Sequence, residues 1–317
     1  MSVPEGYELR APTTEDLAAV AGLLQADDSD EAGEPTLGAN FVEGSWSAPG
    51  FVLATDAWAV TDDAGTVVGY GQIQPDGPDL VGSWGVVHPQ HRGRGIGSAL
   101  LELIDARASA LLVGSSTPRF RHGITAGDRA AEELLRARGL RLLRHFWHMR
   151  IDLEGPFDPG PLPEGTEIDQ IDPDRDLPEA HAILVEAFVD DPSHTPAPFD
   201  RWVEEEASMP TFDPTLWLLA RADGRPAGVL TGSPGEDGGS VDYLAVRAAF
   251  RGRGIAAALL RRSFALFAAR GFHRVVVSVD ADNVAGATRV YERVGMRTVW
   301  RWDLWERTST VADVHGP

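Results

Sequence analysis

Two stretches of the chain carry the pattern arginine-x-x-glycine-x-glycine/alanine. Arg92, Gly93, Arg94, Gly95, Ile96 and Gly97 make the first; Arg251, Gly252, Arg253, Gly254, Ile255 and Ala256 make the second. These residue types at this spacing suit the capture of an anion. Glycines let main-chain N–H groups approach an anion closely. An apolar helical stretch begins at each loop, so its unpaired N–H groups and positive dipole end point at the same place. Each helix-end interaction contributes about 0.3–1 kcal/mol when exposed and up to ~2 kcal/mol when partly buried. Several amides and an arginine side chain together would hold a pyrophosphate. A short apolar strand leads into each loop, through Val87 in the first case and through Leu244, Ala245 and Val246 in the second.

Arg92 and Arg251 lie 159 residues apart, roughly one domain length. A motif repeated at that interval points to duplication of a whole fold rather than to a solenoid of short repeats. The elements around the loops agree. In the second half, two helical stretches precede a hairpin through Asp223-Gly224, a strong turn signal. A strand, the loop, a helix ended by Gly271, a strand, a short helix and a last strand follow. In the first half the hairpin turns at Ala64-Gly65, and the same order of elements runs to residue 153. A meander followed by strand-helix-strand-helix-strand predicts a mixed α/β fold, its sheet mostly antiparallel and flanked by helices. The proline- and glycine-rich stretch Glu154–Gly165 reads as a linker. The expected division is therefore a first domain at 1–153, a linker at 154–165 and a second domain at 166–317.

A dinucleotide site is the rival reading of the second loop. Gly252, Gly254 and Ala257 match glycine-x-glycine-x-x-alanine, and Asp280 closes the next strand where a ribose-binding acid belongs. Against it, the loop follows the fourth strand of its half rather than the first. Arginines fill the variable positions, and the preceding hairpin breaks strand-helix alternation. The lysine-containing phosphate loop of nucleotide triphosphatases is absent.

Strand, arginine-glycine loop and helix together resemble the acetyl-CoA pyrophosphate loop of the GNAT superfamily of N-acetyltransferases. The segment VSVDADNVAGATRVYERVGM, Val277 to Met296, is similar to that family's asparagine, tyrosine and glycine-methionine region. The likeness covers nearly the whole chain as two tandem copies, of which the second is closer. It implies two tandem GNAT-like domains and transfer of acetyl from acetyl-CoA to a primary amine, within a ternary complex. It implies that Leu244–Val246 pair with the pantetheine arm, that Arg251–Ala256 hold the pyrophosphate, that Asn283 assists, and that Tyr291 protonates the departing thiolate. A phenol within hydrogen-bond reach is a plausible donor to such a group; packing in a core is the other role open to Tyr291. Val87 and Arg92–Gly97 would be the corresponding coenzyme-binding residues of the first copy.

Acetylating an amine also requires loss of an ammonium proton, usually to a carboxylate. By the two-residue period, Ser240, Asp242 and Leu244 share one strand face, and Asp242 is its acid. Related enzymes place a glutamate near the start of this strand, where this chain has Ser240. Glu236 and Asp191 are further candidates, and transfer without a protein base is a third course, since positioning alone supplies roughly 7–11 kcal/mol. The first copy lacks these groups. Counting back from Gly139 as Tyr291 stands from Gly295 gives Leu135, and the counterpart of Asp242 is Ser83. The first domain is therefore expected to be non-catalytic.

Composition narrows the partners. The chain has 317 residues, a net charge of −20, no cysteine and no lysine. Disulfides, thiolate metal sites and a cysteine nucleophile are excluded, which fits a cytoplasmic protein. Excess acid disfavours nucleic acid and anionic membranes. The acids Asp190, Asp191, Glu204, Glu205 and Glu206, with Asp242, would favour a cationic small amine, while solvated helix faces are their ordinary role. No metal motif is found: His145 and His148 are three apart on a strand and face opposite sides. His88 and His91 flank the first loop. His194 lies in a segment that the family uses for its acceptor. The expected partner is a small-molecule amine, the expected state a monomer or homodimer. A non-catalytic acyl-CoA sensor, a nicotinamide enzyme and a scaffold protein are the competing functions.

Overall fold

The computed structural model describes residues 3–32, 38–48, 50–189, 197–209, 211–235, 238–280 and 287–308. In chain order the elements are β1 (Tyr7–Arg10), α1 (Leu17–Ala32), α2 (Ala39–Trp46), α3 (Leu53–Asp56), β2 (Ala57–Asp62), β3 (Val67–Pro75), β4 (Leu80–Val87), α4 (Ile96–Leu111), β5 (Arg119–Thr125), α5 (Arg129–Ala137) and β6 (Arg141–Asp152). There follow β7 (Thr166–Gln170), α6 (Pro173–Ala187), α7 (Phe199–Ser208), β8 (Leu218–Ala222), β9 (Arg225–Pro234), β10 (Gly239–Val246), α8 (Ile255–Ala269), β11 (Arg274–Asp280), α9 (Ala287–Arg293) and β12 (Arg297–Thr308).

The chain forms two compact units, Met1–Phe146 with Trp300–Pro317, and Trp147–Val299. In the first unit the strand order is β1-β2-β3-β4-β5-β12. The meander β1 to β4 is antiparallel, β4 and β5 are parallel, and β12 closes on β5 antiparallel, from Trp302 opposite Thr125 to Thr308 opposite Arg119. In the second unit the order is β7-β8-β9-β10-β11, then the C-terminal half of β6. Here too only β10 and β11 are parallel among the described pairings. Each sheet is mixed and mostly antiparallel, as the sequence predicts. The sequence repeat divides at the linker, but the packing divides differently. Each unit takes its closing strand from the other half of the sequence.

Local chemistry accounts for the elements that carry the loops. The β8–β9 hairpin turns through Asp223 at φ 53° and Gly224 at φ 72°, the left-handed pair that a tight two-residue turn requires. In the second unit α8 lies on the sheet through Leu259, Leu260, Phe264 and Phe267, all buried with Val229, Leu230 and Ile183. The helix comes close at Gly228, where a Cβ would stand 2.9 Å from the carbonyl oxygen of Ala245 and 3.2 Å from Leu259. The same approach recurs in the first unit, where a Cβ on Gly69 would stand 2.8 Å from Ile96. These two glycines seat each helix against its sheet, which fixes where the helix N-terminus points.

Candidate active site

The second loop is built from the end of β10. Arg247 is tied to α6 by ion pairs to Glu179 at 2.7 Å and Glu186 at 3.5 Å. A single helical turn, Ala248–Phe250, follows and buries Phe250. Arg251 then donates from Nε back to the carbonyl oxygen of Val246 at 3.1 Å, closing the loop while its side chain stays exposed. Gly252 and Gly254 adopt φ of 78° and 83°. Left-handed glycines alternating with residues of negative φ turn successive N–H groups to one side, making a concavity for an anion. Gly254 caps α8, and the first amide bonded within the helix is that of Ala258, to the Gly254 carbonyl at 3.0 Å. The amides of Ile255, Ala256 and Ala257 precede it at the helix start. Arg253 turns aside to Asp223 at 3.0 Å, so Arg251 is the arginine left open at this loop.

The strand leading to the loop is interrupted. The parallel ladder of β10 with β11 runs from Gly239–Val275 to Val241–Val277. There β10 bulges: Val241 lies opposite Gly232 and Tyr243 opposite Thr231, leaving Asp242 as the extra residue. Thr231 Oγ1 accepts the Tyr243 N–H at 3.0 Å, a side chain serving in place of the ladder. Beyond the bulge, Leu244, Ala245 and Val246 stay paired with β9, while the β11 ladder has ended. An opened strand edge of this kind can take up an extended ligand through its backbone. The bulge also corrects a face assignment. Leu244 now sits in register with Gly239 and Val241, and the expected row of Ser240, Asp242 and Leu244 is broken at its middle member.

Asp242 stands at this opening. Its Oδ1 accepts the Ser233 hydroxyl at 3.0 Å. Asp242 keeps an exposed surface at the opening, while the protein around it raises its carboxyl above the ordinary carboxylate range by desolvation, with Ser240 and Ser233 opposing. Glu206 on α7 is raised too, first by desolvation and then by the charge of Asp242, while Trp202 donates to it. The Tyr243 phenol is raised by burial and by both carboxylates. The structure thus brings Asp242, Glu206 and Tyr243 together. Sequence reading placed Glu206 in a run of acids and overlooked Tyr243; the periodicity of α7 and the pleat of β10 were the signals available for them.

Tyr291 is on α9 of the second unit. It is 6% exposed, within the apolar cluster that includes Val277, Val279, Val294 and Met296, and burial raises its phenol well above the usual range. It therefore keeps its proton across ordinary pH. Asn283, Glu236, Asp190, Asp191 and His194 lie outside the described residues.

The first loop repeats the backbone and differs in its side chains. Gly93 and Gly95 adopt φ of 73° and 90°, and Gly95 caps α4. Gly97 does not need to be glycine: a Cβ there would make ordinary contacts of 3.7 and 3.8 Å with Leu134 and Val87, and the second loop has Ala256 at this place. Arg92 Nη2 pairs with Asp27 of α1 at 2.6 Å. Arg94 donates to the Tyr7 hydroxyl at 2.9 Å and the Gln90 carbonyl at 3.1 Å, and Tyr7 bonds His91 Nδ1 at 2.9 Å. β4 has no bulge, and its ladder with β5 reaches Trp84–Gly123. Ser83 bonds the Arg121 carbonyl at 2.9 Å and His122 Nδ1 at 2.7 Å, and burial lowers His122 to about 4.

The profile of the acetyltransferase (GNAT) family matches residues 177–296, and that of an acetyltransferase (GNAT) domain matches residues 54–137. A mycothiol acetyltransferase of Streptomyces coelicolor is 34% identical over 255 residues, covering 79% of each chain. One of Thermobispora bispora is 32% identical over 260 residues, covering 77% of this chain and 81% of that one. A solved GCN5-related N-acetyltransferase of Sphaerobacter thermophilus superposes with a TM-score of 0.84 at 31% identity, over 97% of each chain. A tandem GNAT protein from the clavulanic acid biosynthesis pathway shares the fold, with a TM-score of 0.64 at 20% identity over 95% of this chain and 98% of that one.

Proposed function

Because this chain belongs to the GNAT acetyltransferase family, carrying two such domains in tandem, we propose that its second unit transfers acetyl from acetyl-CoA to the primary amine of a small molecule, both substrates being bound together. The observation that carries the reading is the continuity of an opened β10 edge, at Leu244–Val246, with an exposed Arg251 and the amides of Gly252–Ala256. The edge would hold the pantetheine arm by strand-like pairing, and the loop would hold the pyrophosphate. Val87 and Arg92–Gly97 hold the corresponding places in the first unit, where Arg92 is already paired with Asp27.

In this reading the acceptor nitrogen enters beside Asp242. An ammonium cannot attack, so Asp242 takes its proton; a carboxyl raised by desolvation is a stronger base than an ordinary one. The nitrogen lone pair then adds to the thioester carbonyl carbon. The carbon–nitrogen bond forms, the carbon–sulfur bond breaks, and the thiolate takes a proton from Tyr291; the nitrogen gives up its second proton as the intermediate collapses, and that proton restores the phenol by way of solvent. Burial keeps that phenol protonated until sulfur departs, and also makes it a weaker acid than an exposed phenol. Asn283 would assist the coenzyme.

The relatives' name, mycothiol acetyltransferase, makes a mycothiol-type amine the first acceptor to test. An amine panel with acetyl-CoA, read by free-thiol release and by mass of the acetylated product, checks the proposal. Turnover on at least one small primary amine is expected. Tight acetyl-CoA binding without thiol release on any amine would contradict it.

A further inference from the structure

The two loops have the same backbone and opposite electrostatic states. Arg251 gives Nε to its own loop and presents the rest of its guanidinium to solvent. Arg92 is half-buried against the carboxylate of Asp27, with 2.6 Å between Nη2 and Oδ1 and side-chain exposures of 26% and 16%. Asp27 Oδ2 also receives Thr125 Oγ1 at 3.5 Å. A charge-assisted contact this short between half-buried groups is among the stronger hydrogen bonds of a protein. The second cation of the first loop, Arg94, is drawn to Tyr7 and Gln90. On the strand side the ladder between β4 and β5 persists to Trp84, where its counterpart in the second unit has ended at Val241.

We propose that Asp27 closes the first loop from within: its carboxylate engages the arginine that a pyrophosphate would need, so that each chain takes up one acyl-CoA, at the second loop. The chemistry is direct competition between two anions for one guanidinium. A phosphate group reaching Arg92 must displace Asp27 or accept its repulsion. The inference concerns coenzyme binding alone and stands independently of the acceptor and of turnover.

Isothermal titration of the full chain with coenzyme A tests it. The natural chain is expected to bind one equivalent, and Arg251→Ala with Gly254→Val to bind none. Asp27→Asn, which keeps the side chain's shape, and Asp27→Ala are expected to add a second equivalent, at least tenfold tighter than any residual binding of the natural chain at that loop. Arg92→Ala placed on Asp27→Ala should remove the gain. Thermal melting of each variant separates loss of fold from loss of binding. Two equivalents on the natural chain, or a single equivalent on folded Asp27→Asn and Asp27→Ala, would overturn the proposal.

Discussion

In the second unit β10 bulges at Asp242 and parts from β11, and the loop beyond it keeps Arg251 at the surface. In the first unit β4 carries no bulge, its ladder with β5 lasts to Trp84, and Arg92 is held by Asp27. The loop backbones match nonetheless: left-handed glycines, a glycine cap and a first helical bond to that glycine's carbonyl occur in both. The comparison separates two things a motif can encode. Glycine spacing dictates a loop shape, which both units keep. Chemistry depends on what fills the surroundings, which only one unit leaves open.

The same contrast holds downstream. Leu135 and Tyr291 occupy one structural position: each carbonyl accepts amides three and five residues on, those of Arg138 and Leu140 in one case and Val294 and Met296 in the other. Both side chains are buried, Leu135 at 1% and Tyr291 at 6%. The place is an apolar seat beside the sheet, and the second unit has put a phenol there.

The sharpest way to break the contrast is at the carboxylate. Asp242→Asn should lower kcat/KM for the amine at neutral pH by ~10²–10⁴-fold, the span of general acid–base catalysis, and by less at high pH, where the amine is already deprotonated. Ser83→Ala, its counterpart, should leave turnover unchanged. The pH profile carries a sign. A carboxyl raised above its ordinary range is protonated to higher pH, so the rate limb governed by Asp242 should rise above that range and vanish in the variant. Stability runs the other way. A raised carboxyl burdens the folded state above its folded pKa and not below its unfolded one, so Asp242→Asn should hold or raise the melting temperature at neutral pH. A silent Asp242→Asn would assign the bulge to packing.

Next in size, Tyr291→Phe should cut kcat more than tenfold with little change in acetyl-CoA affinity, a loss within the ~10²–10⁴-fold span of a general acid. Leu135→Met should do neither. Normal turnover of Tyr291→Phe across pH would make its hydroxyl incidental and the two seats equivalent. Smaller still is the effect at the helix seats. Gly228→Ala and Gly69→Ala each force a Cβ into contacts of 2.9 and 2.8 Å, an overpacking that costs typically ~1–3 kcal/mol. Gly228→Ala should also weaken acetyl-CoA binding, since it shifts α8; Gly69→Ala should lower melting alone. The smallest change is ionic. If Asp242 and Glu206 attract a cationic amine, its kcat/KM should fall severalfold as salt rises and the screening length drops below about 8 Å, and Glu206→Gln should flatten that dependence.

Much of this was legible in the sequence, because it rests on local rules. Loops, hairpins, α4 and α8 follow from glycine, turn and apolar spacing, and the missing tyrosine of the first copy could be counted from Gly139. The helices α1 to α3 were not read, although α1 supplies Asp27. Nor was a second repeat: Pro4-Glu5-Gly6 and Pro163-Glu164-Gly165 stand at the same 159-residue interval, with Gly6 and Gly165 both at positive φ, and open β1 and β7. The bulge at Asp242 depends on Thr231 of the neighbouring strand, which no periodicity within β10 reveals. The closing strands resist reading for a different reason. β6 and β12 are each twelve residues long and rich in arginine and aromatic side chains, so either suits either sheet edge, and the choice between β5 and β11 belongs to the whole fold.

Hydrogen–deuterium exchange of the natural chain with and without acetyl-CoA tests the division of labour most directly. The account predicts slowed exchange at the amides of Tyr243 to Ala257, where the opened edge and the exposed loop would be covered, and unchanged exchange from Trp84 to Ser98. Protection of both segments alike, or of the first alone, would contradict it.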